Sequence, residues 1–331
     1  MIGIKWMGVS ALAVLAACSG GGGSTSGSGG SVGTVTPTPS TPTPSPSAPT
    51  PAPSASPSYA TLASLTGIQN YASGCIAFGG AVGGGAPWLQ NAPFYALNSG
   101  SVSYNPTGEA FTQLGTTFGV ANRISGSASA TSAYTRTDSV SGVTTRFDVV
   151  QPTPGIYSRT TSLLVEGQSQ GSYCVLGVPT LNTDIPNVPS VAFTRIAVRG
   201  RAFDKRSGTL VEYDLAPSSA TLSVDLTTGQ FTSRLTLVGS NGASRVALGT
   251  HDIIGNLMEA TSGLIGGPAE APGPAPLPGS GGVTVQSIRV DGGFFGPQGA
   301  EFAYVFSRLE RIGSSPADAT FTVAGTVAGA R

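Results

Sequence analysis

Four sets of residues have types and spacings that chemistry can use. The first is Leu15-Ala16-Ala17-Cys18, which closes a short apolar run behind Lys5. From about Met7 to Ala17 this run is too short to cross a hydrocarbon core of about 30 Å as a helix, and it ends in small residues as a cleaved export signal does. Cleavage ahead of Cys18 would leave a thiol for acylation, so residues 1–17 read as a lipoprotein signal and Cys18 as the lipidated residue. The second set is Cys75 and Cys174. With Cys18 assigned to lipid, they form an even pair in an oxidising compartment, and a disulfide is expected. Two buried free thiols are the alternative.

The third set is Gly167-Gln168-Ser169-Gln170-Gly171, which matches the G-x-S-x-G pattern of a nucleophile elbow. That elbow needs a strand before the serine and a helix after it. Here Ser172-Tyr173-Cys174-Val175-Leu176 reads as another strand, so the motif is expected to be a hairpin turn. His251, the one histidine, precedes Asp252, and a hydrolase built on Ser169, His251 and Asp252 is the weaker alternative function. One histidine and no cysteine cluster give zinc or haem little to bind, and the acidic residues lack a calcium-loop pattern, so no cofactor is expected. The fourth set is Arg195, Arg199 and Arg201, spaced evenly along an expected strand from Val191 to Phe203. Even spacing puts all three on one face, where they would dock an anion or an acidic partner, or simply form a solvated row.

Composition narrows what must position these residues. Lys+Arg and Asp+Glu are 16 each, which argues against nucleic acid as a partner because phosphate binding needs a basic excess. Residues 18–57 form a tether in two parts, Gly/Ser-rich to Gly33 and then Pro alternating with Thr, Ser and Ala, with too little apolar area to fold. From Tyr59 onward aromatic and β-branched residues alternate with small polar ones. Ala220, Leu222, Val224 and Leu226 share one face, a turn follows at Thr227-Thr228-Gly229-Gln230, and Phe231, Leu235 and Leu237 return inward. The same rule places Val211, Tyr213 and Leu215 together, Phe302, Tyr304 and Phe306 together, and Phe321 with Val323. Earlier strands are expected at Tyr71–Phe78, Thr144–Val150, Thr161–Glu166 and Tyr173–Val178. Many strands without intervening helices predict an all-β chain whose C-terminal part, 191–331, closes as an antiparallel barrel of roughly eight strands. A smaller, mostly β region, 58–190, would precede it, with the boundary in the Pro/Asn segment Pro179 to Pro189.

The segment Val290-Asp291-Gly292-Gly293-Phe294-Phe295-Gly296-Pro297-Gln298-Gly299-Ala300-Glu301 resembles the strand-turn-strand signature of the transferrin-binding-protein-B-like β-barrel surface lipoproteins. In that family an aromatic before Gly-Pro is followed by Ala and Glu. Ser207 through Tyr213, Ala220 through Gln230 and Val323 through Arg331 are similar to further strands of the same barrel, so the resemblance covers roughly 191–331. Phe302-Ala303-Tyr304 departs from the Gly-Gly common after that Glu, and a Pro/Gly-rich insertion fills Gly266 to Gly282. On sequence alone the motif reads as a turn former, with Gly296-Pro297 enforcing the bend.

The resemblance implies a non-enzymatic binding module, anchored by lipid in the bacterial outer membrane and displayed at the cell surface, with an extracellular protein or small solute as ligand. The loops Gly79 to Pro93 and Gly266 to Gly282 are candidate contact regions. The alternative is a structural or assembly lipoprotein serving an outer-membrane transporter or other membrane partner.

Overall fold

The structure is a computed structural model that describes residues 59–80, 86–91, 98–126, 131–152, 155–242, 244–258, 263–266, 284–312 and 318–331. The signal, Cys18, the tether and most of the expected contact loop at 266–282 lie outside the described residues. Period-two patterning dominates what is described, and the helical pieces there are four single 3-10 turns. The chain is all-β, in two antiparallel sheets within one compact unit.

The first sheet contains β1 (Gln69–Gly79), β2 (Trp88–Asn91), β3 (Asn98–Asn105), β4 (Ala110–Gln113), β5 (Thr116–Phe118), β6 (Arg123–Gly126), β7 (Ser132–Thr137), β8 (Thr144–Val150), β9 (Ser158–Val165) and β10 (Gly171–Gly177). Its order is β5-β4-β3-β1-β10-β9-β8-β7-β6, with β2 paired to the end of β1. The sheet curls around its own aromatic core, where Phe118 stacks on Phe147 at 5.0 Å and Phe111 meets Tyr134 edge-on at 6.2 Å. Its curvature brings Gln113 of β4 across to Ser172 of β10 at 2.9 Å and Thr161 of β9 at 2.5 Å, so this buried amide is hydrogen-bonded at both ends.

The second sheet contains β11 (Ser190–Phe193), β12 (Arg195–Asp204), β13 (Val211–Asp214), β14 (Ser219–Asp225), β15 (Gln230–Asn241), β16 (Ser244–Met258), β17 (Gly263–Gly266), β18 (Thr284–Phe295), β19 (Glu301–Arg311) and β20 (Ala319–Ala330). The expected strand Val191 to Phe203 is broken at Thr194 into β11 and β12. In the same way β13 and β14 are two pieces of one wall position. Each wall position pairs with the next from β12 through β13 and β15 to β20, and β20 pairs back along the whole of β12, from Arg195 opposite Ala330 to Asp204 opposite Phe321. Two split strands and six unbroken ones therefore make a barrel of eight positions. Closure leaves the wall without a free edge.

The expected inward faces point inward. Leu222, Val224, Phe231, Leu235, Leu237, Phe302, Tyr304, Phe306, Phe321 and Val323 all belong to the barrel core. Phe302 stacks on Phe231 at 5.4 Å and meets Phe294 edge-on at 5.2 Å, and the Tyr304 hydroxyl shares a 2.7 Å hydrogen bond with Ser233. The lumen is filled by side chains, as a barrel of this strand number permits.

On β19 and β20 alternation of polarity fails, because both faces are buried. The outward residues Ala303, Val305, Leu309, Ala324 and Ala328, with Phe203 and Phe295, pack against Ile76, Phe78, Tyr173 and Val175 of the first sheet. β10 is correspondingly buried along its full length. Phe78 lies 5.3 Å from Phe203 and 5.9 Å from Tyr173, ring centre to ring centre.

Candidate functional site

A cleft of about 640 Å³ opens where the two sheets diverge. β8 and β9 supply Arg146, Asp148, Thr160 and Ser162 from one wall; β12 supplies Arg199 and Arg201 from the other, with Asp214 at the end of β13, paired with Arg201, and Thr326 of β20 on the floor. Residues of the outward face of β12 line it because that strand's other face, through Val198 and Ala202, is committed to the barrel core.

Most charges in the cleft are internally compensated. Arg146 Nε is 3.0 Å from Asp148 Oδ2, two residues along the same strand face, and this hydrogen bond holds the Arg146 pKa above its ordinary value. Arg201 pairs with Glu212 across the β12–β13 hairpin. Burial pushes the Tyr173 phenol upward, with Arg201 opposing, so it stays protonated and neutral. Arg195 donates to the Arg331 carbonyl and stands away from the cleft lining. Arg199 is exposed and has no ion-pair or hydrogen-bond partner among the described residues. The expected shared face therefore splits three ways: a strap to the chain's last residue, an open guanidinium and an ion pair. A fork of donors beside buried Thr160 and Thr326 suits a carboxylate or another planar anion.

Cys75 and Cys174 face each other across β1 and β10 and are bonded, with Cα atoms 4.2 Å apart. The G-x-S-x-G segment is the hairpin turn between β9 and β10, with a strand rather than a helix after it. His251 lies on the lumen face of β16, one ring nitrogen 2.8 Å from Arg308 Nη1. Asp252, next along the strand, points outward, 3.8 Å from Arg234. Adjacent strand residues face opposite ways, so Asp252 does not orient His251, and the histidine is not aimed at Ser169.

Three features escaped the sequence reading. Glu301 does more than follow a turn. Its buried carboxylate accepts hydrogen bonds from the backbone N–H groups of Ile156 at 2.5 Å, Tyr157 at 2.9 Å and Ser158 at 2.9 Å, and from Ser158 Oγ at 2.6 Å. It clasps the start of β9 to the barrel. The partners lie about 145 residues away, so no local pattern announces them. The Gly-Pro turn beside it is gripped as well: Thr180 Oγ1 donates to the Gly296 carbonyl at 2.6 Å, and Gln298 N–H donates to Asp184 at 2.9 Å. Gly296 has φ of 74°, and a Cβ there would sit 2.3 Å from the Tyr157 ring, so both its conformation and its neighbour require glycine.

The second missed feature is the barrel's charged end. The even face of β19 continues from Phe306 to Arg308 and Glu310, which are 2.6 Å apart, and Arg206 lies 3.8 Å from Glu310 and 2.7 Å from Asp204. Burial, and then the Arg308 charge, pull the His251 pKa down to about 4, so it faces Arg308 as a neutral acceptor. Period-two continuation from Phe302 was the signal that could have located this cluster. The third concerns the expected contact loop Gly79 to Pro93. Its residues 88–91 form β2, Ala86 N–H donates to the Ala319 carbonyl at 2.9 Å, and Thr322 Oγ1 donates to the Pro87 carbonyl at 2.5 Å. This part is pinned to the barrel rather than offered to a partner, because Ala86 fills the layer between the sheets.

The fold and cleft define an all-β protein with a filled, closed barrel, a second curled sheet packed on its wall, and a polar opening between them. No family model matches the chain, and no curated protein matches it. Among solved structures it is similar to a double mutant of transferrin binding protein B from Haemophilus parasuis, at 14% identity over 80% of this chain and 45% of that one, TM-score 0.46. It is similar to the isotype 1 transferrin binding protein B from serogroup B Neisseria meningitidis, at 14% identity over 80% and 44%, TM-score 0.44. A third is HpuA from Kingella denitrificans in complex with human haemoglobin, at 13% identity over 80% and 87%, TM-score 0.33. The chain spans less than half the length of the two transferrin-binding proteins.

Proposed function

We propose that this chain is a lipid-anchored binding lipoprotein of the bacterial outer membrane, displayed at the cell surface, which captures an extracellular protein without chemistry on it. The inter-sheet cleft is the contact region, with Arg199 receiving an acidic side chain of the partner. The observation that carries this reading is an unpaired guanidinium in a polar opening on a molecule whose barrel lumen is already full. The lipobox at Cys18, the tether behind it and the motif ending in Glu301 support the same assignment.

Intact cells bearing the wild-type chain are expected to retain an extracellular protein that is lost after protease shaving. Arg199→Glu, an exposed change that leaves both cores untouched, should weaken that capture about tenfold or more, the scale of a charge-assisted hydrogen bond. Recovery of one integral membrane protein and no extracellular one would instead assign the chain to an assembly role.

A further inference from the structure

The cleft between the sheets holds more polar groups than one acidic side chain of a partner would use. Its volume of about 640 Å³ suits a whole small molecule rather than a single carboxylate. On one wall, strand pairing aligns Asp148 of β8, Ser162 of β9 and Tyr173 of β10 in a row, and Thr160 shares the Ser162 face two residues along β9. On the facing wall, Arg199 of β12 lies directly opposite Thr326 of β20. Thr160 is 5% exposed and Thr326 1%, and both line the cleft. Neither of their hydroxyls, nor that of Ser162, has a hydrogen-bond partner among the described residues. Nearly buried polar groups are normally paired, so two unpaired hydroxyls lining one opening mark groups that a ligand satisfies.

Each group selects for a ligand property. The Arg199 guanidinium, exposed and unpaired among the described residues, presents a planar fork of donors to one carboxylate. The hydroxyls of Thr160, Ser162 and Thr326 can donate as well as accept, which matches hydroxyl groups on the ligand. Asp214 Oδ1 accepts from the Ala216 N–H at 2.7 Å, while its Oδ2 has no partner among the described residues and is open to a ligand O–H. Asp148 and Asp214 together disfavour a second negative charge on the ligand. Val150 and Leu164 give the same wall apolar surface against which C–H groups can lie. One carboxylate, several hydroxyls and a C–H face are the chemistry of a sugar acid.

We propose that this cleft binds a sugar acid of hexuronate type, its carboxylate on Arg199 and its hydroxyls on Thr160, Ser162, Thr326 and Asp214. The site goes beyond protein capture but shares Arg199 with it, so the sugar acid and the captured protein compete. A free solute and the end residue of a glycan both carry this chemistry.

The test is calorimetric titration of the full chain in detergent with glucuronate, with glucose, which lacks the charge, and with acetate, which lacks the hydroxyls. Glucuronate is expected to bind saturably and about tenfold or more tighter than either, as a charge-assisted hydrogen bond added to hydroxyl contacts requires. Arg199→Gln, an exposed change, should bring glucuronate to the level of glucose. Thr326→Val keeps the side chain's shape and should weaken glucuronate about threefold or more, with the melting temperature near that of the wild type. Methyl glucuronide binding as tightly as glucuronate assigns the ligand to a glycan end, and weaker binding assigns it to the free solute. On intact cells, saturating glucuronate should release the captured protein; glucuronate binding by a chain that captures nothing would sink the capture reading and leave this one standing. Absence of saturable glucuronate binding, glucose or acetate binding equally well, or glucuronate affinity unchanged in Arg199→Gln would each overturn the proposal.

Discussion

Glu301 shows how much one carboxylate can decide. It accepts four hydrogen bonds from a segment of the other sheet while almost wholly buried, so its replacement leaves several buried donors poorly matched. Glu301→Gln keeps the volume but turns an amide toward those donors. It should lower unfolding free energy by about 2 kcal/mol, read from the denaturant midpoint. His251 supplies a pH signature. Its pKa is about 4 when folded and 6.5 as a free side chain, so between those values the unfolded chain binds a proton that the folded chain does not. Stability attributable to His251 is therefore present above pH 6.5 and falls as pH drops toward 4, by about 3 kcal/mol over the window. A series of denaturation midpoints against pH should show that slope, and His251→Gln should flatten it. In sequence, His251 was legible only as the one histidine; its neutral state depends first on its burial and then on Arg308, on a non-adjacent strand.

At the level of elements, the hairpins were legible and the layers were not. The β14–β15 hairpin needs only its own residues: Leu222 and Val224 face one way, and Asp225 Oδ1 accepts from Thr227 and Thr228 N–H to shape the turn. β19 and β20 instead bury both faces, and what covers the second face is a sheet built from a part of the chain more than a hundred residues earlier. The Cys75–Cys174 bond holds the central pair of that covering sheet. It closes a separation of 99 residues, so the chain-entropy model gives it about 4–5 kcal/mol. Reduction, or Cys75→Ser with Cys174→Ser, should shift the unfolding midpoint by up to that amount, while strand content by circular dichroism persists in the folded form.

For the whole molecule, the proposed arrangement is a head on a long tether, which makes separable demands on its two ends. Cys18→Ser should leave the head folded yet move the protein from the membrane pellet to the soluble fraction, and mass spectrometry should find no acyl modification. A variant that still sediments with membranes would remove the lipid anchor from the proposal. What could be determined from sequence was whatever depends on neighbours in the chain: strand periodicity, turn chemistry, and the pairing of the two cysteines that remain once Cys18 is set aside. Tertiary structure alone decided that Glu301 clasps two sheets, that Arg195 and Arg201 are occupied while Arg199 is open, and that part of an expected contact loop is buried. The physical reason is that hydrogen-bond satisfaction and charge compensation depend on distance in space, and here the deciding partners lie between 11 and 235 residues apart.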